Sequence, residues 1–131
     1  MKLVSTISKI KINDSLLFEK LCIIENFKKI MPENVSKFEI LDSDTFIFSL
    51  KGMPAIKLVI IEKKASSSIT LNSSESKISF SLKAELKKID DDNCTFSIEF
   101  NGDLNPMIQM MVKTPLQSFI NDLSANASSL V

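Results

Sequence analysis

Apolar and polar residues alternate through much of the middle of the chain, as they do in β-strands that bury one face. The alternation is nearly strict over Lys77–Lys88, where the apolar positions are Ile78, Phe80, Leu82, Ala84 and Leu86. Because successive side chains of a strand point to opposite faces, these residues are predicted to share one buried face. Further strands are predicted at Val35–Leu41, Thr45–Leu50, Ala55–Lys64, Ile69–Asn72 and Thr95–Phe100. One apolar face and one polar face indicate an antiparallel sheet with a solvated side.

The first thirty residues are predicted to form one strand and an interrupted helix. Lys2–Ile12 mixes β-branched and polar residues and is predicted to be the first strand. Asn13–Ser15 offers short side chains that can cap the free N–H groups of a helix, and apolar residues follow with helical spacing. This helix is predicted to break near Glu25–Asn26 and to resume over Phe27–Met31, before Pro32 ends it.

A long apolar helix is predicted after the last strand. Asn105 can cap it, and Pro106 suits its first position, where a missing N–H costs nothing. The predicted inward stripe consists of Ile108, Met111, Val112, Pro115, Phe119, Leu123 and Ala127. Pro115 is predicted to bend the helix, because it removes one backbone hydrogen bond. The chain is therefore predicted to be α+β, with six or seven antiparallel strands against a long terminal helix.

Composition limits the chemistry that this chain can perform. Its 131 residues suit one domain over residues 1–131, and the apolar fraction of 44% is that of a globular protein. All 16 basic residues are Lys, the net charge is zero, and His, Arg, Trp and Tyr are absent. No imidazole is present to act as a base near neutral pH, and no positive field favours nucleic acid as a partner. With two Gly residues and no metal-ligand spacing, the sequence predicts no phosphate cradle, no metal and no cofactor.

The cysteines and the N-terminus bear on the cellular compartment. Cys22 and Cys94 are predicted to be free thiols of a reducing compartment, because they fit no metal or disulfide pattern. Residues 1–6 lack the apolar segment of a signal peptide. No apolar run approaches the ~20 residues that a membrane span requires. We therefore expect a cytoplasmic protein without a membrane span.

The order of elements, together with one short motif, resembles a known superfamily. The motif is Leu104-Asn105-Pro106, followed by Met111-Val112 and Pro115-Leu116. The order resembles the helix-grip (START-like, SRPBCC) superfamily, which includes START lipid-transfer domains, polyketide cyclases and the birch-pollen-allergen family. The motif is most similar to that of small single-domain bacterial members. The resemblance implies a curved antiparallel sheet wrapped around the C-terminal helix, with short helices after the first strand and an apolar cavity between sheet and helix.

A ligand site is expected among the apolar residues that face this cavity. An apolar lining with few polar groups is typical of a small-molecule pocket. The predicted ligand-binding residues are Phe46, Phe48, Met53, Ile60, Phe80, Leu82, Phe96, Ile98, Met107, Met111, Pro115 and Phe119. Met107, Met110 and Met111 at the start of the last helix, with Met53-Pro54 in a sheet loop, either form the mouth of the cavity or fill the core.

Three functions fit this sequence. The favoured one is the binding of a small hydrophobic or amphipathic molecule, such as a lipid, between the sheet and the C-terminal helix. The second is a cyclase-like or hydrolytic enzyme that uses a buried carboxylate, for which Glu62 qualifies if its side chain points inward. The absence of His, Tyr and Arg weighs against an enzyme. The third is an interaction module with a filled core.

Overall fold

The computed structural model describes residues 1–74 and 79–130 as an antiparallel sheet packed against a long helix. The strands are β1 Lys2–Val4, β2 Ser8–Ile10, β3 Val35–Asp42, β4 Thr45–Leu50, β5 Ile56–Lys64, β6 Ser68–Ser74, β7 Phe80–Asp90 and β8 Asn93–Gly102. The helices are α1 Asp14–Leu21, α2 Ile24–Ile30 and α3 Pro106–Asn126, and a 3-10 helix covers Ala127–Leu130. The inward position predicted for Ile78 lies outside the described residues.

The sheet is a meander in which the last strand, β8, also pairs with the first two strands, β1 and β2. Its order is β1-β8-β7-β6-β5-β4-β3, and β2 also pairs with β8. Every neighbouring pair is antiparallel, and β7 and β8 keep one register from Phe80 opposite Gly102 to Lys88 opposite Cys94. The inward residues of β7 and β8 are buried and alternate with more exposed ones, as predicted from the sequence. This arrangement confirms the helix-grip prediction, because the sheet packs on α3 and the short helices lie early in the chain.

The predicted first strand is divided in two. β1 and β2 pair with the same strand, β8, and are separated around Ser5. The Ser5 N–H donates to the Ile98 carbonyl at 2.8 Å, and the Ile98 N–H donates to the Ser5 hydroxyl oxygen at 2.8 Å. The side chain of Ser5 therefore replaces one backbone acceptor of the ladder. The backbone can turn there without leaving a buried N–H unpaired.

The early helix is capped as predicted but breaks earlier than predicted. Asn13 Oδ1 accepts a hydrogen bond from the Ser15 N–H at 2.9 Å. The break lies at Cys22 and Ile23, because Ile23 is extended and precedes α2. Asn26, predicted to be part of the break, lies in the first turn of α2, and its side-chain amide donates to the Lys20 carbonyl at 2.6 Å. It adds a side-chain donor to a carbonyl in the last turn of α1 that also accepts the Ile23 N–H at 3.2 Å.

Polar contacts fix the rotation of α3 about its axis. Ser124 is fully buried, and its hydroxyl lies 2.8 Å from the Thr6 carbonyl and 3.1 Å from the Phe96 carbonyl. Gln117 donates to the Val4 carbonyl at 2.9 Å. The buried residues of α3 are Val112, Leu116, Phe119, Ile120, Leu123 and Ser124. The inward stripe is therefore rotated from the predicted one, and Met111, predicted to face inward, is exposed.

Candidate functional site

The space between the sheet and α3 is nearly full. The described residues leave a void of about 20 Å³ there, and it is lined by Phe27, Met31, Phe46, Leu58, Leu71, Leu82, Ala84, Ile98, Phe119 and Leu123. A void needs roughly 10–15 Å³ to hold one water molecule, so this one is too small for an organic ligand.

Phenylalanine rings occupy the volume that a ligand would need. Phe119 of α3 stacks on Phe48 of β4, with ring centroids 5.1 Å apart and planes 9° apart. Phe46 stacks on Phe38 at 5.0 Å and on Phe27 of α2 at 5.8 Å. Offset-stacked rings at these separations are mutually stabilising and bury large apolar areas. The interior of the helix grip is thus a packed core.

A much larger cleft lies at one end of the grip, between the β4–β5 loop and the first turns of α3. Its volume is about 500 Å³. Residues of both walls are apolar for the most part, and the full lining is Asn34, Leu50, Lys51, Gly52, Met53, Pro54, Ile108, Met111, Val112 and Pro115. We call this the loop–helix cleft. Its volume is within the range of ligand pockets, about 300–1,000 Å³.

The loop wall of the cleft is shaped by its backbone. Gly52 has φ 82°, a left-handed conformation that glycine adopts without steric cost. The Lys51 N–H donates to the Asn34 carbonyl at 2.8 Å, and the Met53 N–H donates to the Leu50 carbonyl at 2.9 Å. The first bond holds the loop against the segment that follows α2, and the second closes the turn itself. Met53 and Pro54 are thereby presented towards α3.

The helix wall is fixed by the cap of α3. Asn105 Oδ1 accepts from the Ile108 N–H at 2.9 Å, and the Gln109 side-chain amide donates to the Leu104 carbonyl at 2.7 Å. Val112 is buried, while Met111 is exposed one position earlier. Pro115 lies inside the helix and has no N–H, so the Met111 carbonyl receives no hydrogen bond from it.

Few polar side chains line the cleft. Asn34 and Lys51 lie on the loop side, and among the described residues of the lining Lys51 alone is charged. Among the residues that the structure describes, Lys51 forms no ion pair. The described lining therefore combines mostly apolar residues with one asparagine and one lysine.

The structure places eleven of the twelve predicted ligand-binding residues in three groups. Four line the small interior void: Phe46, Leu82, Ile98 and Phe119. Four others are buried in the core but do not line the interior void: Phe48, Ile60, Phe80 and Phe96. Three line the loop–helix cleft: Met53, Met111 and Pro115. Met107 is exposed on the outer face of α3, and it does not line the cleft.

Sequence reasoning missed part of the cleft. Asn34, Leu50 and Lys51 were not predicted to meet α3, because they lie far from it along the chain. The signal that was present is Gly52, followed by Met53-Pro54, since a glycine and a proline interrupt the alternation of the strands. The interpretation of Met107, Met110 and Met111 as core filling is wrong, because all three side chains are exposed.

Catalytic and metal chemistry receive no support from the described residues. Glu62 is exposed, and its carboxylate lies 3.8 Å from Lys64 Nζ, so the inward orientation considered for it is wrong. Within residues 1–74 and 79–130, no group of three His, Cys, Asp or Glu side chains is placed to hold a metal ion. No helix in that part of the chain is both long and apolar enough to cross a bilayer.

Comparison with known proteins identifies the fold. No protein-family model matches the chain, and no curated protein matches its sequence. The chain is similar in structure to a START superfamily protein from Mycobacterium smegmatis, with a TM-score of 0.72, 8% identity and 99% of each chain covered. It is also similar to norcoclaurine synthase from Thalictrum flavum, solved in complex with dopamine and hydroxybenzaldehyde, with a TM-score of 0.76 and 11% identity over 99% of this chain and 86% of that one.

A third solved structure agrees with these two. The KanY protein matches with a TM-score of 0.80 and 9% identity, over 99% of this chain and 96% of that one. At such identities the likeness shows the fold. The protein has the helix-grip (SRPBCC) fold of START-superfamily and norcoclaurine-synthase structures, as the element order predicts.

Proposed function

We propose that this protein binds a small apolar or amphipathic molecule in the loop–helix cleft. The observation that carries the proposal is the cleft itself, which has about 500 Å³ of volume between mostly apolar walls. Removing apolar ligand surface from water stabilises a complex by roughly 25 cal/mol per Å². Helix-grip proteins typically bind hydrophobic ligands in a cavity, which supports the same class of function.

The position proposed here differs from the interior site expected from the sequence. The interior void of about 20 Å³ cannot hold an organic molecule without displacing the stacked Phe48 and Phe119 rings. The loop–helix cleft lies at the end of the same sheet–helix interface and is already open. Methionine side chains are flexible and polarisable, so Met53 and Met111 can adapt to apolar ligands of different shape.

The ligand proposed is apolar along most of its length and polar at one end. Lys51 and Asn34 can bind a carboxylate, hydroxyl or carbonyl at the rim. The Met111 carbonyl, which receives no bond from Pro115, can accept a hydrogen bond from a ligand hydroxyl or amide. A molecule held this way keeps its polar group hydrogen-bonded while its apolar part is removed from water.

A charge on the cleft wall should weaken binding. We expect Met111→Glu to raise the dissociation constant of the uncharged fluorescent probe N-phenyl-1-naphthylamine about tenfold or more, because a carboxylate beside an apolar ligand loses hydration. The matched control is Met107→Glu, which places the same charge on the outer face of the same helix. Fluorescence titration measures both constants, and thermal unfolding checks that both variants fold like the parent.

The second candidate function is that of an interaction module, and it is the one supported if the cleft binds no apolar probe. The packed interior favours an interaction module that acts through the exposed start of α3. If the parent protein leaves the probe fluorescence unchanged, and apolar metabolites and fatty acids do not raise its melting temperature, the module is the better account. Equal weakening by Met111→Glu and Met107→Glu would place the binding outside the cleft.

A further inference from the structure

Three methionines are exposed at the start of α3. Met107, Met110 and Met111 are 74%, 85% and 72% exposed, and their spacing of three and four residues puts them on one side of the helix. We call them the methionine face. Met111 also lines the loop–helix cleft, whereas Met107 and Met110 do not. The outer face of a surface helix is ordinarily polar, so these thioethers are not explained by packing.

The other oxidisable groups of the chain are less available. The sequence contains no His, Trp or Tyr. Cys94 is buried and Cys22 is half-buried, and desolvation raises the pKa of both thiols. A raised pKa leaves little of the thiolate that reacts with peroxides. Met1, Met31 and Met53 are partly buried against the core. The methionine face is thus the most accessible reductant among the described residues.

We propose that Met107, Met110 and Met111 are sites of reversible oxidation by hydroperoxides, and that the sulfoxide at Met111 lowers the affinity of the loop–helix cleft for apolar molecules. The first half stands on exposure alone. The second half rests on the proposed function of the cleft. Together they make the cleft a binding site that is regulated by peroxide.

The chemistry is a two-electron oxygen transfer. A lone pair of the thioether sulfur attacks one oxygen of hydrogen peroxide, a sulfur–oxygen bond forms and the oxygen–oxygen bond breaks. The departing hydroxide takes the proton of the transferred oxygen and leaves as water. The sulfur is oxidised and the peroxide is reduced. Methionine sulfoxide reductases, one for each sulfoxide epimer, reverse the change with electrons from thiols.

The consequences differ with position on the helix. The sulfoxide oxygen is a strong hydrogen-bond acceptor, and an apolar ligand beside it would strip water from it without replacing the hydrogen bond. At Met111 this oxygen lies on the cleft wall, next to the buried Val112. At Met107 and Met110 it lies in solvent, outside the cleft. Because all three side chains are already exposed, oxidation leaves the packed core intact.

The site assignment is tested by peptide mass spectrometry. The folded protein is treated with hydrogen peroxide for increasing times, and the sulfoxide at each of the six methionines is quantified. We expect Met107, Met110 and Met111 to oxidise first and Met31, which lines the interior void, to oxidise last. Uniform oxidation of all six, or earlier oxidation of Cys22, would overturn the assignment.

The regulation is tested with N-phenyl-1-naphthylamine and two variants. For each protein the dissociation constant is measured before and after peroxide treatment, and the constant after treatment is divided by the constant before it. We expect a ratio of about ten or more for the parent and for Met107→Leu/Met110→Leu, and a ratio below about three for Met111→Leu. Reductase treatment should restore the parent. An unchanged ratio in Met111→Leu would show that another group controls binding.

The oxidation of the methionine face and its effect on binding in the cleft can be disproved independently. If the unoxidised parent does not bind the probe, the proposed function fails and the regulation fails with it, while the oxidation map still decides the modification site. If the parent binds but its ratio stays near one, the cleft is a ligand site that peroxide does not regulate. A fall in melting temperature on oxidation would point to damage of the core in place of a change at the cleft.

Discussion

Phe119→Ala is expected to lower the free energy of unfolding by about 3–5 kcal/mol, the range for truncating a buried aromatic ring. Phe119 is 1% exposed, stacks on Phe48 at 5.1 Å and lines the interior void. Its removal takes away the stack and enlarges a void that the surrounding rings cannot close. Urea unfolding followed by circular dichroism measures the loss.

A neighbouring exposed position provides the control for Phe119→Ala. Thr114 lies on the exposed side of α3, so Thr114→Ala should change the unfolding free energy by less than about 0.5 kcal/mol. A loss below about 1 kcal/mol for Phe119→Ala would show that this part of α3 does not pack against the sheet.

Leu116→Asp should be at least as damaging, with a loss of about 4 kcal/mol or more, because it buries a carboxylate without a partner. Leu116 is 3% exposed and lies on the buried side of α3, although the sequence stripe did not include it. This loss is comparable with the whole stability of a small domain, about 5–15 kcal/mol. Circular dichroism at neutral pH is expected to show a largely unfolded or strongly destabilised chain.

Two controls separate burial from charge. Ser118→Asp adds the same carboxylate to the exposed side of α3 and should cost less than about 0.5 kcal/mol. Burial raises the pKa of a carboxyl, so Leu116→Asp folds more stably when the new group is protonated. Its deficit should shrink as the pH falls towards the ordinary Asp value of about 3.9. A deficit that does not change with pH would contradict burial of this position.

The strands were predictable because their signal is local. The alternation over Lys77–Lys88 and the apolar face predicted for Thr45–Leu50 need no knowledge of the partner strand, and the structure has strands at Phe80–Asp90 and Thr45–Leu50. Asn105 and Pro106 fixed the start of α3 for a similar reason, since a cap is a short-range hydrogen bond. The order of these elements was sufficient to identify the helix-grip fold.

The errors arose where a distant partner decides the local structure. The first strand divides because the Ser5 hydroxyl bonds to Ile98, which is 93 residues away. The rotation of α3 is set by Gln117, which bonds to Val4 of β1, and by Ser124, which bonds to Thr6 between β1 and β2. The sequence pattern assigned Met111 to the buried face because methionine is apolar. With α3 rotated by these contacts, Met111 is exposed.

The site was the least predictable part, because the volume of a cavity is the small difference between the space that the backbone encloses and the volume of the side chains that fill it. Whether a ring fills the interior depends on rotamers such as those that stack Phe48 on Phe119, and the sequence does not encode these in any local pattern. The cleft likewise depends on how the β4–β5 loop approaches α3. Met53 and Met111 were nevertheless predicted, because Met53-Pro54 and the methionines at the start of the last helix were considered as a mouth, and Pro115 was predicted as part of the inward stripe.

The most direct test of the account is the NMR spectrum of protein carrying 13C in its methionine methyl groups, titrated with N-phenyl-1-naphthylamine. The methyl groups report on every relevant place: Met53 and Met111 line the loop–helix cleft, Met31 lines the interior void, and Met107 and Met110 point outward. The account predicts large saturable shifts for Met53 and Met111, and unmoved signals for Met31 and Met110. Shifts of Met31 with unmoved Met53 and Met111 would contradict it, because they would place the ligand in the interior.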